Sequence, residues 1–152
     1  SVRRLVAGWK ERGLRRLGED AAALVADCLP RPGAALVAFV PADRKRLGER
    51  GHHPAERLAR ALAEGWDLPC RAVLRRVGGS ERQRGLSLAE RRRNVDGAFG
   101  ATRPVSGTVV LVDDVYTSGA TVSAAASALR AAGAGRVDVV TFARTIRLNG
   151  AT

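Results

Sequence analysis

The sequence predicts an α/β fold: a central, mostly parallel sheet flanked by helices. Three observations carry that prediction. Residues 34–40 and 108–112 are short, nearly all-apolar runs, the pattern of strands covered on both faces rather than one. Stretches of helical periodicity lie between and after them. A last strand-like run, residues 136–144, follows a helix, so strands alternate with helices, as right-handed parallel crossovers require.

Taken in order, Val2, Leu5, Val6 and Trp9 fall at i, i+3, i+4 and i+7, predicting an amphipathic helix that Gly13 breaks. A second helix is expected over residues 19–29, with Glu19 and Asp20 in its first turn and Pro30 ending it. The strand over 34–40 closes at Pro41. Pro54 opens a third helix reaching about Trp66, with Leu58, Ala61 and Leu62 on its inner face. Residues 71–77 read as a weaker, more basic strand nearer an edge. Ser87 and Glu90 form a capping box for a short helix over 88–94. The strand over 108–112 feeds a helix over 119–132, whose inner face is Val122, Ala125, Ala126 and Leu129 and which Gly133 ends. No internal repeat or low-complexity linker interrupts this order, and residues 1–152 are expected to form one domain.

Composition narrows the function classes. A hydrophobic content of 45% with 27% charged residues is that of a soluble globular protein. No apolar run approaches the roughly 20 residues that span a bilayer, and no signal segment opens the chain, so a cytoplasmic protein without membrane contact is expected. The chain holds no Met, which suggests trimming from a longer protein. Cys28 and Cys70 lie far apart, without a CxxC pair or a histidine at ligand spacing. Two buried free thiols are expected, not a zinc site. A net charge of +11 favours polyanionic partners, either nucleic acid or a multiply phosphorylated small molecule. An Arg-rich compositional bias accounts for it equally well.

The chemistry concentrates after the strand over 108–112. Ligands in open α/β sheets bind at the carboxyl ends of strands, where this chain places Asp113 and Asp114. Thr117, Ser118, Gly119, Ala120 and Thr121 then turn the chain into a helix. Gly119 lets the backbone approach a ligand, the hydroxyls donate hydrogen bonds, and the helix start offers free N–H groups and its positive dipole end. Together these make a cradle for a phosphate. The carboxylates beside it suit the vicinal hydroxyls of a sugar and a hydrated Mg²⁺.

The stretch VVLVDDVYTSGAT, residues 109–121, resembles the signature of type I phosphoribosyltransferases. The whole chain looks like the competence protein F (ComF) family of that fold. The stretches that carry the likeness are WKERG at 9–13, VP at 40–41, ERG at 49–51, AERLARALA at 55–63, then Gln83, Leu86, and Arg92 with Asn94 in ERRRNVDGAF. The resemblance implies a type I phosphoribosyltransferase fold with a small hood. It further implies a Mg²⁺-dependent transfer of phosphoribosyl from phosphoribosyl pyrophosphate to an unknown acceptor. Asp113 and Asp114 would hold the ribose hydroxyls and the metal shell, and residues 117–121 the 5-phosphate. Pyrophosphate would lie against Pro41, Ala42, Asp43 and Arg44, with Arg44, Lys45 or Arg46 neutralising it. A homodimer is common in the superfamily.

Two departures stand out. Members of the family usually read RGF/Y-N-Q where this chain has Arg50, Gly51, His52, His53 and Pro54, and they usually carry an N-terminal cysteine-rich zinc module that is missing here. Neither touches the cradle; both obscure the acceptor. His52 and His53, being adjacent, point apart, so joint ligation of one metal is not expected, and a polar loop and helix start is favoured over a catalytic base. The Arg-dense residues 75–93 read either as a solvated loop or as a flap over pyrophosphate, with Gln83 and Arg92 as its candidates. A module that binds the donor or DNA without turnover is the alternative reading of the whole chain. Stacking on single strands is unsupported, since none of the six aromatic residues falls in the Arg-rich stretch.

Overall fold

The computed structural model describes residues 25, 28–42, 53–77, 97–116 and 119–144. In chain order these form β1 (Leu36–Phe39), α1 (Pro54–Gly65), β2 (Leu74–Arg76), β3 (Phe99–Ala101), β4 (Thr108–Tyr116), α2 (Ala120–Ala131) and β5 (Arg136–Arg144). β4 is central, with β1 on one side and β5 on the other, and both pairings are parallel.

The unbroken apolar character of β1 and of residues 109–112 of β4 follows from their having two covered faces. Side chains alternate across a strand, so each strand divides its residues between two cores. Val37, Phe39, Val110 and Val112 meet Leu58, Ala59 and Leu62 of α1. Ala38, Val40, Val109 and Leu111 meet Val122, Ala125 and Leu129 of α2. Leu58, Leu62, Leu111 and Leu129 are fully buried; each such side chain stabilises the fold by roughly 1.5–3 kcal/mol relative to exposure. The expected inner face of α2 is the observed one. On α1, Leu58 and Leu62 are buried, whereas Ala61 is only half-buried.

α2 ends in a Schellman motif: Gly133 N donates to Arg130 O at 3.0 Å and Ala134 N to Leu129 O at 3.0 Å. Gly133 has φ of 108°, and a Cβ there would sit 2.6 Å from the Val105 carbonyl oxygen. Both conditions select glycine.

Three expectations are corrected. First, β4 does not stop at Val112. The nine-residue β5 keeps pairing with it as far as Tyr116↔Arg144, so Asp113 and Asp114 lie within the strand. Second, the strand expected over residues 71–77 is divided. Its start lies along β1, where Val37 N donates to Pro69 O (2.8 Å) and Arg71 N to Val37 O (3.0 Å). Its later part, β2, leaves the central sheet and pairs antiparallel with β3. The sequence FGA of β3 has a glycine and no alternation, so nothing local marks it as a strand. Third, the cysteines are free but not buried: Cys28 is exposed and Cys70 half-buried.

Of the helix expected over 19–29, only Val25, Cys28 and Leu29 are described; Val25 and Cys28 are helical, and Leu29 N donates to Val25 O at 2.9 Å. The helices expected over residues 2–9 and 88–94 lie outside the described residues. No helix among the described residues is long and apolar enough to cross a membrane.

Candidate functional site

The parallel register aligns the carboxyl ends of β1 and β4, with Phe39 opposite Val112. Val40 N makes a further ladder bond to Val112 O at 3.0 Å. Beyond it β4 continues past the end of β1, still paired with β5 on its other side. Asp113 and Asp114 therefore sit where β4 has outrun β1, and both are half-buried. Asp113 Oδ1 accepts the Asp114 backbone N–H at 2.9 Å, fixing the first carboxylate against the chain.

Both helices begin at this edge. Gly119 caps α2 with φ of 75° and ψ of −9°, a left-handed conformation, and as a glycine makes no side-chain cap bond. The amides and positive dipole end of a helix start favour anions. Ala120 is half-buried and Thr121 exposed in the first turn. Thr117 and Ser118, the remaining expected cradle residues, lie outside the described residues.

α1 begins at His53, its N-cap, with Pro54 in the first helical turn. His53 Nδ1 lies 3.2 Å from Glu56 N, and its Nε2 lies 2.8 Å from Ala42 N. Phe39 packs edge-on against the imidazole, with ring centroids 5.3 Å apart. Burial pushes the His53 pKa below 6.5; the Arg76 charge acts in the same direction, against the carboxylates of Glu56 and Asp114. His53 thus occupies the N-cap position, as a polar helix start requires, with its ring set between the Glu56 and Ala42 amides. His52 is not among the described residues.

From the side of β2, Arg76 Nε donates to Pro41 O at 3.0 Å. Its guanidinium carbon lies 4.9 Å from the centroid of the Phe99 ring, within cation–π range. Of the expected pyrophosphate loop, Pro41 and Ala42 are described and reach the carboxylate edge; Asp43, Arg44, Lys45 and Arg46 are not. Gln83 and Arg92, the expected flap residues, also lie outside the described residues. Sequence reasoning missed the roles of His53 and Arg76 toward the β1 loop. The position of His53 before Pro54 signals a cap, but nothing local signals its reach to Ala42.

Among the described residues, no group of three or more His, Cys, Asp or Glu side chains could cage a metal. Two adjacent carboxylates at a strand end instead suit Mg²⁺ that keeps several waters and shares its remaining coordination with a phosphorylated ligand.

Comparison with solved structures agrees with this architecture. The chain is similar to glutamine phosphoribosylpyrophosphate amidotransferase of Bacillus subtilis, a structure complexed with ADP and GMP, at 27% identity and a TM-score of 0.56 over 84% of this chain and 25% of that one. It is also similar to the structure described as the allosteric regulatory enzyme of purine biosynthesis, at 25% identity and a TM-score of 0.57 over 82% of this chain and 25% of that one. The fold is that of the type I phosphoribosyltransferases.

Among curated proteins, it shares 35% identity over 123 residues with the DNA utilization protein YhgH of Salmonella typhi, covering 78% of this chain and 52% of the relative. With competence protein F of Haemophilus influenzae it shares 34% over 110 residues, covering 69% and 48%. The chain is a homologue of the competence protein F and YhgH proteins, and spans about half the length of the relatives it matches. No family model matches it.

Proposed function

We propose that this chain binds phosphoribosyl pyrophosphate with Mg²⁺ at the carboxyl edge of its sheet and transfers phosphoribosyl to an acceptor, releasing pyrophosphate. The observation that carries the reading is the juxtaposition of Asp113 and Asp114, where β4 outruns β1, with the left-handed Gly119 that opens α2. The carboxylates would accept hydrogen bonds from the ribose 2- and 3-hydroxyls and hold the metal's hydration shell. Residues 117–121 would receive the 5-phosphate, and the loop from Pro41 to Lys45 the pyrophosphate. When bound, Mg²⁺ would neutralise charge on the departing pyrophosphate. Reaction at C1 passes through an oxocarbenium-like state, so the chain's own residues would position the sugar and stabilise developing charge rather than form a covalent intermediate.

A thermal-shift titration tests this reading. A ligand that binds only the folded state raises the melting temperature with its concentration. Phosphoribosyl pyrophosphate with Mg²⁺ is expected to raise it, whereas ribose 5-phosphate alone raises it less. No shift at millimolar ligand would overturn the reading. A screen of metabolites for pyrophosphate release then identifies the acceptor.

A second reading rests on the +11 net charge and on relatives named for competence and DNA utilization. In it the chain binds the donor or DNA without turnover. DNA affinity that falls steeply with salt is its expected signature, since each neutralised phosphate releases counterions. Sustained pyrophosphate release with any acceptor excludes the version without turnover.

A further inference from the structure

The bonds at the end of β1 converge on one chemical unit. The Pro41 carbonyl and the Ala42 N–H belong to the same peptide group, and each pole of that group is held by a side chain from a different element. Arg76 Nε of β2 donates to the carbonyl at 3.0 Å, and His53 Nε2, at the start of α1, faces the N–H at 2.8 Å. In a parallel ladder, the amide two residues beyond Val40 is the next to donate toward β4. That amide belongs to Ala42, and it turns to the imidazole instead. We infer that His53 and Arg76 clasp the Pro41–Ala42 peptide by both poles, and that this clasp sets the orientation in which the β1 loop meets a phosphorylated ligand.

The imidazole makes the clasp conditional. A neutral ring has one unprotonated nitrogen, so it accepts only one of the two amide protons that face it. The shorter contact, to Ala42, places the lone pair on Nε2 and the proton on Nδ1. The charged groups around the ring are Glu56 of α1, Asp114 of β4 and Arg76 of β2. An Asn at position 53 would cap α1, but its shorter side chain would not reach both amides. His53 and Arg76 are positioning residues, acting through the loop.

This inference rests on the phosphoribosyl pyrophosphate reading for its ligand, but its geometry is tested without one. In uniformly ¹⁵N-labelled protein, the clasp predicts a scalar coupling across the N–H···N bond between Ala42 and His53 Nε2. It also predicts imidazole ¹⁵N shifts of the Nδ1–H tautomer. His53→Asn should retain the folded spectrum and lose the coupling, and Arg76→Gln should shift the Ala42 amide resonance while Arg76→Lys restores it. Absence of the coupling at a pH where the ring is neutral, or lone-pair shifts assigned to Nδ1, would overturn the clasp. Titration with Mg²⁺–phosphoribosyl pyrophosphate is the second arm. His53→Asn and Arg76→Gln should each weaken binding about five- to tenfold, the effect of one net hydrogen bond. Unchanged affinity in both variants with the coupling lost would overturn the loop's role while leaving the donor reading intact. No binding by the wild-type chain with the coupling present would remove the donor reading while the clasp stands.

Discussion

His53 Nε2 lies 2.8 Å from the amide of Ala42, so a side chain at the start of a helix receives the donor that would otherwise continue the ladder between β1 and β4. The ladder's end, the helix start and the two carboxylates are thereby drawn to one edge. That edge forms because β4 is longer than β1 and its extension stays paired with β5.

The position of His53 gives a pH dependence with a definite sign. Burial holds its folded-state pKa below 6.5, so as pH falls from 6.5 the unfolded chain takes up the proton first. The stabilisation is complete above 6.5 and is lost as pH falls toward the lower folded value. Denaturant unfolding at stepped pH should show the wild type losing more stability across this window than His53→Asn. Parallel curves for the two proteins would contradict the burial of a neutral imidazole.

Gly133→Ala should destabilise the fold without touching the site. It forces φ of 108° on a residue with a Cβ and places that atom 2.6 Å from the Val105 carbonyl oxygen. A loss of about 2 kcal/mol or more is expected from strain and displacement together. The urea midpoint measures it.

Gly119→Ala acts at the other end of α2. A left-handed φ of 75° costs an alanine about 1 kcal/mol, a modest fall in stability. The added methyl would also crowd the backbone where the proposed 5-phosphate is received. Phosphoribosyl pyrophosphate affinity should therefore fall by much more than the stability loss alone would predict, as calorimetry beside a melting curve would reveal.

Leu129→Ala and Leu58→Ala probe the two cores separately. Each side chain is fully buried, one beneath α2 and one beneath α1. Each should cost about 2–5 kcal/mol, the range for buried leucines that leave a cavity. If the two faces form one cooperative unit, either variant lowers the single unfolding transition; two separate transitions would show otherwise.

Much of the architecture was legible because its cause was local. The apolar runs at β1 and β4 reported two covered faces, Pro54 and Gly133 marked helix boundaries, and Val122, Ala125 and Leu129 kept helical spacing. What was not legible depended on partners distant in sequence. β4 passes Val112 because β5 continues to pair with it, and Phe99–Ala101 is a strand only because β2 lies beside it. Cys70 is only half-buried because its segment runs along β1 and packs against the edge of the α1 core. The places of Asp113 and Asp114 near the carboxyl end of a strand, and of Gly119 at a helix start, followed from composition and order. The link from His53 to Ala42 crosses eleven positions, and that from Arg76 to Pro41 thirty-five, with no periodicity to announce either.

Calorimetric titration of phosphoribosyl pyrophosphate with Mg²⁺ into the wild type and into Asp113→Asn plus Asp114→Asn tests the central claim most directly. Saturable one-to-one binding by the wild type is expected, weakened roughly 100-fold or more in the double variant by the loss of two charge-assisted acceptors. Absence of binding to the wild type, or equal affinity in the two proteins, would contradict the account.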